Sequence, residues 1–448
     1  MKKHQKIILL LLGIIGVHLF LLIHLKFTAW PEMVLWPYLI KSGWLPYCDI
    51  AIAHTPFLIA ILTIYYKLFG VGILQLKIFT WCLIIGLDLL VFGIVKKLWN
   101  EKFALITVAA FAFWQLFFDG NGLWFDLFMG VFTLSSYYFI RQKKYFWVGI
   151  FWALAFISKQ TAVWFLIPIG LTLTNKDLKP LFEFIKGTIL ILIIFVLSLW
   201  AFGMLPAFYQ WAIHFGIFIL PNAEGQIQFP DLKPLAVSTF PFLIFIPLIW
   251  KNAKKNLNLL LWAFAGCLGA YPRFEYFHFQ ASLPFLAIAI SLVLTDMKKI
   301  GRLWKILITI YLIGSVFLFA DYWIKNWGEG TRFYEQDVAD VVSFVNYSTK
   351  SGDRIFVLNW WDNIYALTDT LPSTDPWMPQ LSWYMDLPGI QDKIVKDLSV
   401  SPPKLIVYYP YTDSGLSSYI PQKVYDYITK NYRLSQKVDD LEILIPNK

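Results

Sequence analysis

Pro56-Phe57-Leu58-Ile59-Ala60-Ile61-Leu62-Thr63-Ile64-Tyr65-Tyr66-Lys67-Leu68-Phe69-Gly70 is the stretch on which the topology of this chain turns. It is apolar enough to enter a bilayer, yet shorter than the roughly 20 residues a helix needs to cross the hydrocarbon core. Positive residues gather on the cytoplasmic side of membrane proteins. Here they form the clusters Lys2-Lys3-Lys6, Lys96-Lys97, Arg141-Lys143-Lys144, Lys176-Lys179, Lys251-Lys254-Lys255 and Lys298-Lys299-Arg302-Lys305. All of these share one side only if residues 56–70 do not cross, because a crossing there would carry Lys96-Lys97 outside. The stretch is therefore expected to lie on, or dip into, the outer surface.

Working outward from it, the runs 7–26, 75–95, 103–118, 124–140, 182–203, 236–250, 257–271, 280–295 and 303–320 read as membrane helices. The run 145–174 is too long for one crossing and is interrupted by Ser158-Lys159-Gln160-Thr161, so it splits into two helices meeting near Lys159. The count is about 11 crossings, with the N-terminus cytoplasmic and the C-terminus outside. Composition agrees: 58% of residues are hydrophobic and 15% charged, against about 25% charged in soluble domains. The run 7–26 follows a basic start but is too long for a signal peptide and has no small-residue cleavage site after it, so it is kept as the first helix. Cys48, Cys82 and Cys267 show no metal-ligand spacing. The net charge of +9 is spent on the clusters between apolar runs and does not indicate nucleic acid. After Ala320, short apolar runs such as Ile355-Phe356-Val357-Leu358 and Leu405-Ile406-Val407-Tyr408 alternate with polar helical stretches, as expected of a small α/β domain. The expected architecture is thus an α-helical polytopic membrane protein, residues 1–320, with juxtamembrane helices in its first outer loop and an extracytoplasmic α/β domain over 321–448.

This topology exposes the segments 27–74, 118–124, 204–235 and 272–279 on the outer side. The first holds Glu32, Asp49 and His54. Either carboxylate could take a proton from an acceptor hydroxyl as a general base, or simply be solvated. Asp126 begins a membrane helix, where a carboxylate also complements free backbone N–H groups and the dipole. Lys159 lies inside a membrane segment, a costly position that marks a functional site by default, although a lysine can also snorkel to the interface. Arg273 and His278, in Tyr271-Pro272-Arg273-Phe274-Glu275-Tyr276-Phe277-His278, could clamp an anionic group. Alternatively Arg273 pairs with Glu275. There is no Walker loop, no GxGxxG and no HExxH.

Taken in order, these pieces resemble the GT-C superfamily of membrane glycosyltransferases, in particular the branch holding protein O-mannosyltransferases and the bacterial transferase that adds aminoarabinose to lipid A. The resemblance rests on Trp30-Pro31-Glu32, on Gly43-Trp44-Leu45-Pro46-Tyr47-Cys48-Asp49, on His54-Thr55-Pro56 and on Leu68-Phe69-Gly70. It rests further on Asp126 as the second-loop acid and on Ser158-Lys159-Gln160 in the broken helix pair, and covers about the first 300 residues. It implies a polyprenyl-phosphate-linked sugar donor, an acceptor that is a glycan, lipid or protein, and inversion at the anomeric carbon. It implies a base that is Glu32 or Asp49, with Asp126 helping to orient the acceptor. Lys159, Arg273, His278 and His54 are then the candidates for the donor phosphate. No Asp-x-Asp motif appears, so no cofactor is expected and transfer is read as metal-independent, with a divalent ion left open. The expected location is the plasma membrane of a prokaryote. A polytopic lipid or polysaccharide transporter is the rival; it predicts an internal repeat and polar residues at mid-membrane depth on several helices, and the sequence shows neither.

Overall fold

The polar break near Lys159 is a real interruption of the helix. In the computed structural model of the chain, which describes residues 3–173, 177–296 and 301–447, helix Tyr145–Ser158 stops at an extended Lys159 (φ −155°, ψ 134°). A 3-10 turn, Gln160–Phe165, then leads into helix Leu166–Leu173. Lys2, Lys176, Lys298 and Lys299 of the basic clusters fall outside the described residues.

Among the described residues, the helices long and apolar enough to cross a membrane are Gln5–His24, Ile73–Leu98, Lys179–Ala201, Leu232–Lys254, Tyr276–Asp296 and Arg302–Asn326. The runs expected at 103–118 and 124–140 are helices Glu101–Phe117 and Phe125–Arg141. The pair expected at 236–250 and 257–271 is present as two helices, Leu232–Lys254 and Asn256–Ala270, which part at a kink where Asn252 leaves the helical conformation (φ −162°, ψ 84°). Residues 56–70 form helix Phe57–Phe69, whose 13 residues rise about 20 Å at 1.5 Å each, less than the roughly 30 Å of hydrocarbon.

The chain divides into two compact units. The first comprises Met1–Thr28, Lys77–Ser198 and Ile227–Gly330, and is a helical body. Its centre is Tyr276–Asp296, whose apolar window is 83% buried, whereas those of Gln5–His24, Lys179–Ala201 and Arg302–Asn326 are each 17% buried and form its lipid-facing rim. Phe111, Trp114, Phe118, Trp262 and Phe285 fill the core. Asn121 ends the first helix: its Nδ2 donates to the carbonyls of Leu22, Leu25 and Lys26 at 2.9, 3.0 and 3.1 Å, satisfying acceptors that the helix terminus leaves open. Trp81 Nε1 donates to its Oδ1 at 3.0 Å.

Helices Tyr145–Ser158 and Lys179–Ala201 cross at a reciprocal pair of glycines. A Cβ on Gly149 would meet the Phe184 carbonyl oxygen at 2.0 Å, and one on Gly187 the Phe146 carbonyl oxygen at 2.0 Å. Close crossing on small residues is how helices associate where lipid supplies no hydrophobic drive. Gly149→Val is expected to cost about 1–3 kcal/mol or more through overpacking. Gly13→Ala, where a Cβ meets nothing within 4 Å, is expected to stay within about 0.5 kcal/mol. Thermal midpoints of the two purified variants in detergent check both statements.

The second unit comprises Ala29–Leu76, Leu199–Gln226 and Thr331–Lys448. Its sheet runs Leu371–Pro372, Arg354–Leu358, Ile406–Tyr408, Leu441–Pro446, Tyr432–Val438, the first three parallel and the last two an antiparallel hairpin. The Ile406–Tyr408 strand, like the 354–358 strand after Arg354, is continuously buried, as expected of parallel strands covered on both faces. The expected strands around 355–358 and 405–408 are therefore present and adjacent. Helix Pro31–Lys41 packs on Phe57–Phe69, with Tyr66 O–H donating to the Met33 carbonyl at 3.2 Å. It also packs on Asn363–Leu367, where Tyr38 O–H donates to the Thr370 carbonyl at 2.9 Å.

Candidate functional site

In the helical unit, three of the sequence-selected residues come together. Asp126 stands in the first turn of Phe125–Arg141, Lys159 at the helix break, and His278 in the 3-10 turn Tyr276–Ser282. Lys159 Nζ donates to Asp126 Oδ2 at 2.6 Å and lies 2.9 Å from His278 Nδ1, which is itself 2.9 Å from Asp126 Oδ2. A single Nδ1 either accepts from the ammonium or donates to the carboxylate, so His278 holds one of two proton arrangements. The side chains of Asp126 and Lys159 are 0% and 5% exposed, so Lys159 does not snorkel to the surface, and Asp126 meets Lys159 and His278 in addition to starting its helix.

The constellation has unsatisfied valence. Asp126 Oδ1 and Thr161 Oγ1 are buried without hydrogen-bond partners. Gly269 sits against them: a Cβ there would meet Asp126 Oδ1 at 3.3 Å and Thr161 Oγ1 at 3.8 Å. An ammonium has three N–H donors; Asp126 engages one, and His278 engages a second in the arrangement in which Nδ1 accepts. Arg273 lies near enough to act on His278 electrostatically and forms a 3.7 Å ion pair with Glu275, the pairing the sequence offers as the alternative to an anion clamp.

Glu32, Asp49 and His54 belong to the second unit, and their surroundings differ. Asp49 serves its own turn: Oδ2 accepts from Leu45 N at 2.6 Å, and the Asp49 carbonyl accepts from Trp377 N at 2.8 Å. His54 uses its carbonyl to accept from Tyr47 O–H at 2.8 Å, and its ring lies 6.4 Å from Trp36. Glu32 follows Pro31 in the first turn of Pro31–Lys41, a position that suits both residues. Its Oε2 is buried without a hydrogen-bond partner. Burial pushes its carboxyl above the ordinary value, opposed by a backbone hydrogen bond. Asp362, just before helix Asn363–Leu367, is pushed well above its ordinary value, first by burial and then by the charge of Glu32.

Sequence reading missed several residues. Asp362 was noticed only as part of an aromatic stretch, and nothing in its spacing ties it to Glu32. Gly269 carries no signal, and Thr161 reads only as the end of the polar break at 158–161. His18, Asp88 and Gln115 form a buried network, with His18 Nδ1 2.8 Å from Asp88 Oδ2 and Nε2 3.1 Å from Gln115 Oε1. One of the two histidines of the first long apolar run and the single Asp of the second are the clue the sequence offers. Among the described residues no group of three or more His, Cys, Asp or Glu side chains is placed to hold a metal ion.

No protein-family model matches the sequence, and no curated protein matches it. Solved structures do. ArnT from Cupriavidus metallidurans in the apo state superposes with a TM-score of 0.67 at 11% identity, over 98% of this chain and 98% of that one. The same protein bound to undecaprenyl phosphate gives 0.62 at 12% identity, over 98% and 97%. The archaeal oligosaccharyltransferase AglB from Archaeoglobus fulgidus, in complex with an inhibitory peptide and a dolichol-phosphate, gives 0.54 at 12% identity, over 89% and 69%. The chain has the fold of these membrane proteins across nearly its whole length.

Proposed function

We propose that this chain is a membrane glycosyltransferase that moves a sugar from a polyprenyl-phosphate-linked donor to a glycan, lipid or protein acceptor outside the membrane. The observation that carries this reading is the buried Asp126, Lys159 and His278 constellation, set at a helix break in an otherwise apolar body. Charge at such a site is expensive and persists for function. The likeness to a structure bound to undecaprenyl phosphate supports the donor class.

In this mechanism Lys159 and Arg273 stabilise the phosphate as it leaves, and His278 supplies or accepts a proton beside it. Glu32 is a better base than Asp49, because Asp49 Oδ2 is already held by a backbone N–H whereas Glu32 Oε2 has no partner. Glu32 takes the acceptor hydroxyl proton, the acceptor oxygen bonds to the anomeric carbon, and the bond from that carbon to the phosphate oxygen breaks, inverting the centre. His54 is a further candidate for the phosphate. Residues 1–320 form the catalytic membrane part, with about 11 crossings, the N-terminus inside, and 321–448 outside. The host membrane is a prokaryotic plasma membrane, and transfer needs no metal.

The test is to supply proteoliposomes with undecaprenyl-phosphate sugars bearing labelled hexoses or pentoses and to measure release of undecaprenyl phosphate. Consumption of at least one donor, lost in Lys159→Met, is expected; absence of consumption across the panel overturns the reading. A pH dependence follows. Glu32 must be ionised to act, and its folded value is raised, so activity is lost as pH falls through that raised value. The acid limb of kcat should lie above the ordinary glutamate value of about 4.3; a limb at or below it contradicts Glu32 as base.

A further inference from the structure

Within the helical unit, a cavity of about 230 Å³ opens where helices Gln5–His24 and Arg302–Asn326 end and Ile73–Leu98 begins. Its walls include His24, Phe27, Lys77, Trp81 and Trp327. Backbone hydrogen bonds pin the chain around it. Lys26 N donates to the Asn326 carbonyl at 2.8 Å, Phe27 N to that of Gly330 at 3.0 Å, and Gly328 N to that of His24 at 2.9 Å. Trp81 is fixed by its bond to Asn121 Oδ1, and its ring meets Phe27 edge-on at 6.3 Å. His24 stacks on Trp327 at 5.1 Å with 12° between the rings. The walls are therefore held by contacts of their own.

Lys77 brings the charge. It is half-buried, and its Nζ stands 5.5 Å from the centre of the Phe27 ring. Among the described residues no carboxylate pairs with it; Glu329, between the lining residues Gly328 and Gly330, is exposed and forms no ion pair. A lysine that only snorkels carries its ammonium out to water, whereas this one lines an aromatic cavity. His24 Nδ1 donates to the Phe20 carbonyl at 2.8 Å, which leaves Nε2 as the ring atom open to a ligand.

We propose that this cavity binds the phosphate of an anionic phospholipid, with Lys77 as the charge that holds it. An ammonium attracts phosphate as a point charge. Tryptophans at the ends of membrane helices sit at head-group depth, where the phosphates of the bilayer lie. The cavity is smaller than the roughly 300–1,000 Å³ of sites that enclose a drug-sized ligand, so it suits a head group whose acyl chains stay outside. Those chains have a surface to lie on. Phe20 and Ile23 are exposed on the helix that ends at His24, and the Phe20 ring is 4.2 Å from His24 and 5.9 Å from Trp327. A free inorganic anion would use Lys77 and gain nothing from that apolar strip, so the surroundings favour the lipid. None of these side chains belongs to the Asp126, Lys159 and His278 constellation, so binding here stands apart from sugar transfer.

The test uses the full-length protein in nanodiscs and needs no sugar donor. Phosphatidylglycerol or phosphatidylcholine bearing a photoreactive group near the phosphate is added, and the cross-linked residues are read by mass spectrometry. Phosphatidylglycerol is expected to label 20–27, 77–81 and 327–330, and phosphatidylcholine, whose choline offsets its phosphate, to label them far less. Lys77→Met should lower the phosphatidylglycerol labelling about fivefold, the usual worth of one lysine at an anionic lipid surface, and Lys77→Arg should keep it. Lys102→Met, at an exposed lysine of Glu101–Phe117, should change nothing at these positions. Equal labelling by the two lipids, or labelling unchanged in Lys77→Met, would overturn the site. Loss of labelling on addition of inorganic phosphate would overturn the lipid in favour of a free anion. Should Lys77→Met fail to fold, the comparison of the two lipids on the wild type still decides.

Discussion

Glu32→Gln is expected to lower the rate of sugar transfer by about 10²–10⁴-fold, the usual contribution of a positioned general base, while binding of the donor lipid is unchanged. The amide keeps the shape of the side chain in the first turn of Pro31–Lys41 and removes the proton acceptor. Because Glu32 Oε2 has no hydrogen-bond partner, the amide breaks no bond that the carboxylate oxygen makes there. Asp49→Asn is the contrasting case. Its carboxylate closes a local turn through Leu45 N, so that variant should lose some stability and keep most of its kcat. Rates of the two variants with one labelled donor, beside donor affinity by equilibrium binding, separate the alternatives that sequence left open. A drop of similar size in both would mean that the loop, rather than one base, is what matters.

Breaking the Asp126 and Lys159 pair should have the other large effect, this time on the fold. Both side chains are buried, and removing one partner of a buried ion pair leaves an uncompensated charge at a cost of about 3–5 kcal/mol. Lys159→Met and Asp126→Leu should therefore each lower the thermal midpoint sharply. The double variant should recover most of that loss, since replacing a buried pair by apolar groups is often neutral, and yet remain inactive. Thermal midpoints of the three proteins, with a transfer assay on the double variant, give the answer. Recovery of activity along with stability would make the pair structural only.

Much of this was legible in the sequence for physical reasons. Length and polarity alone divide 145–174 at Lys159, and the helix does end there, at an extended residue whose side chain meets Asp126 and His278. The charge clusters kept residues 56–70 from being read as a crossing, and helix Phe57–Phe69 is too short to be one. The partners of each charge were not legible. Asp126 and His278 are 152 residues apart in sequence and share one hydrogen bond; no local pattern encodes such a meeting. Asp362 reads as a residue of an aromatic loop, whereas the helix it precedes, Asn363–Leu367, packs on Pro31–Lys41, the helix that carries Glu32. Likewise the first outer loop reads as an appendage of the membrane part, whereas Ala29–Leu76 folds with Thr331–Lys448. Such associations depend on tertiary packing, which hydropathy does not report.

The central claim, sugar transfer from a polyprenyl-phosphate donor with Glu32 as base, is tested most directly by single-turnover chemistry in proteoliposomes. Wild-type protein and Glu32→Gln are each loaded with one labelled undecaprenyl-phosphate sugar, and appearance of the label on extracted acceptor material is followed with time. Transfer by the wild type with inverted anomeric configuration, and at least about 100-fold slower transfer by Glu32→Gln, is the predicted result. Equal rates for the two proteins, or retention of configuration, would contradict it.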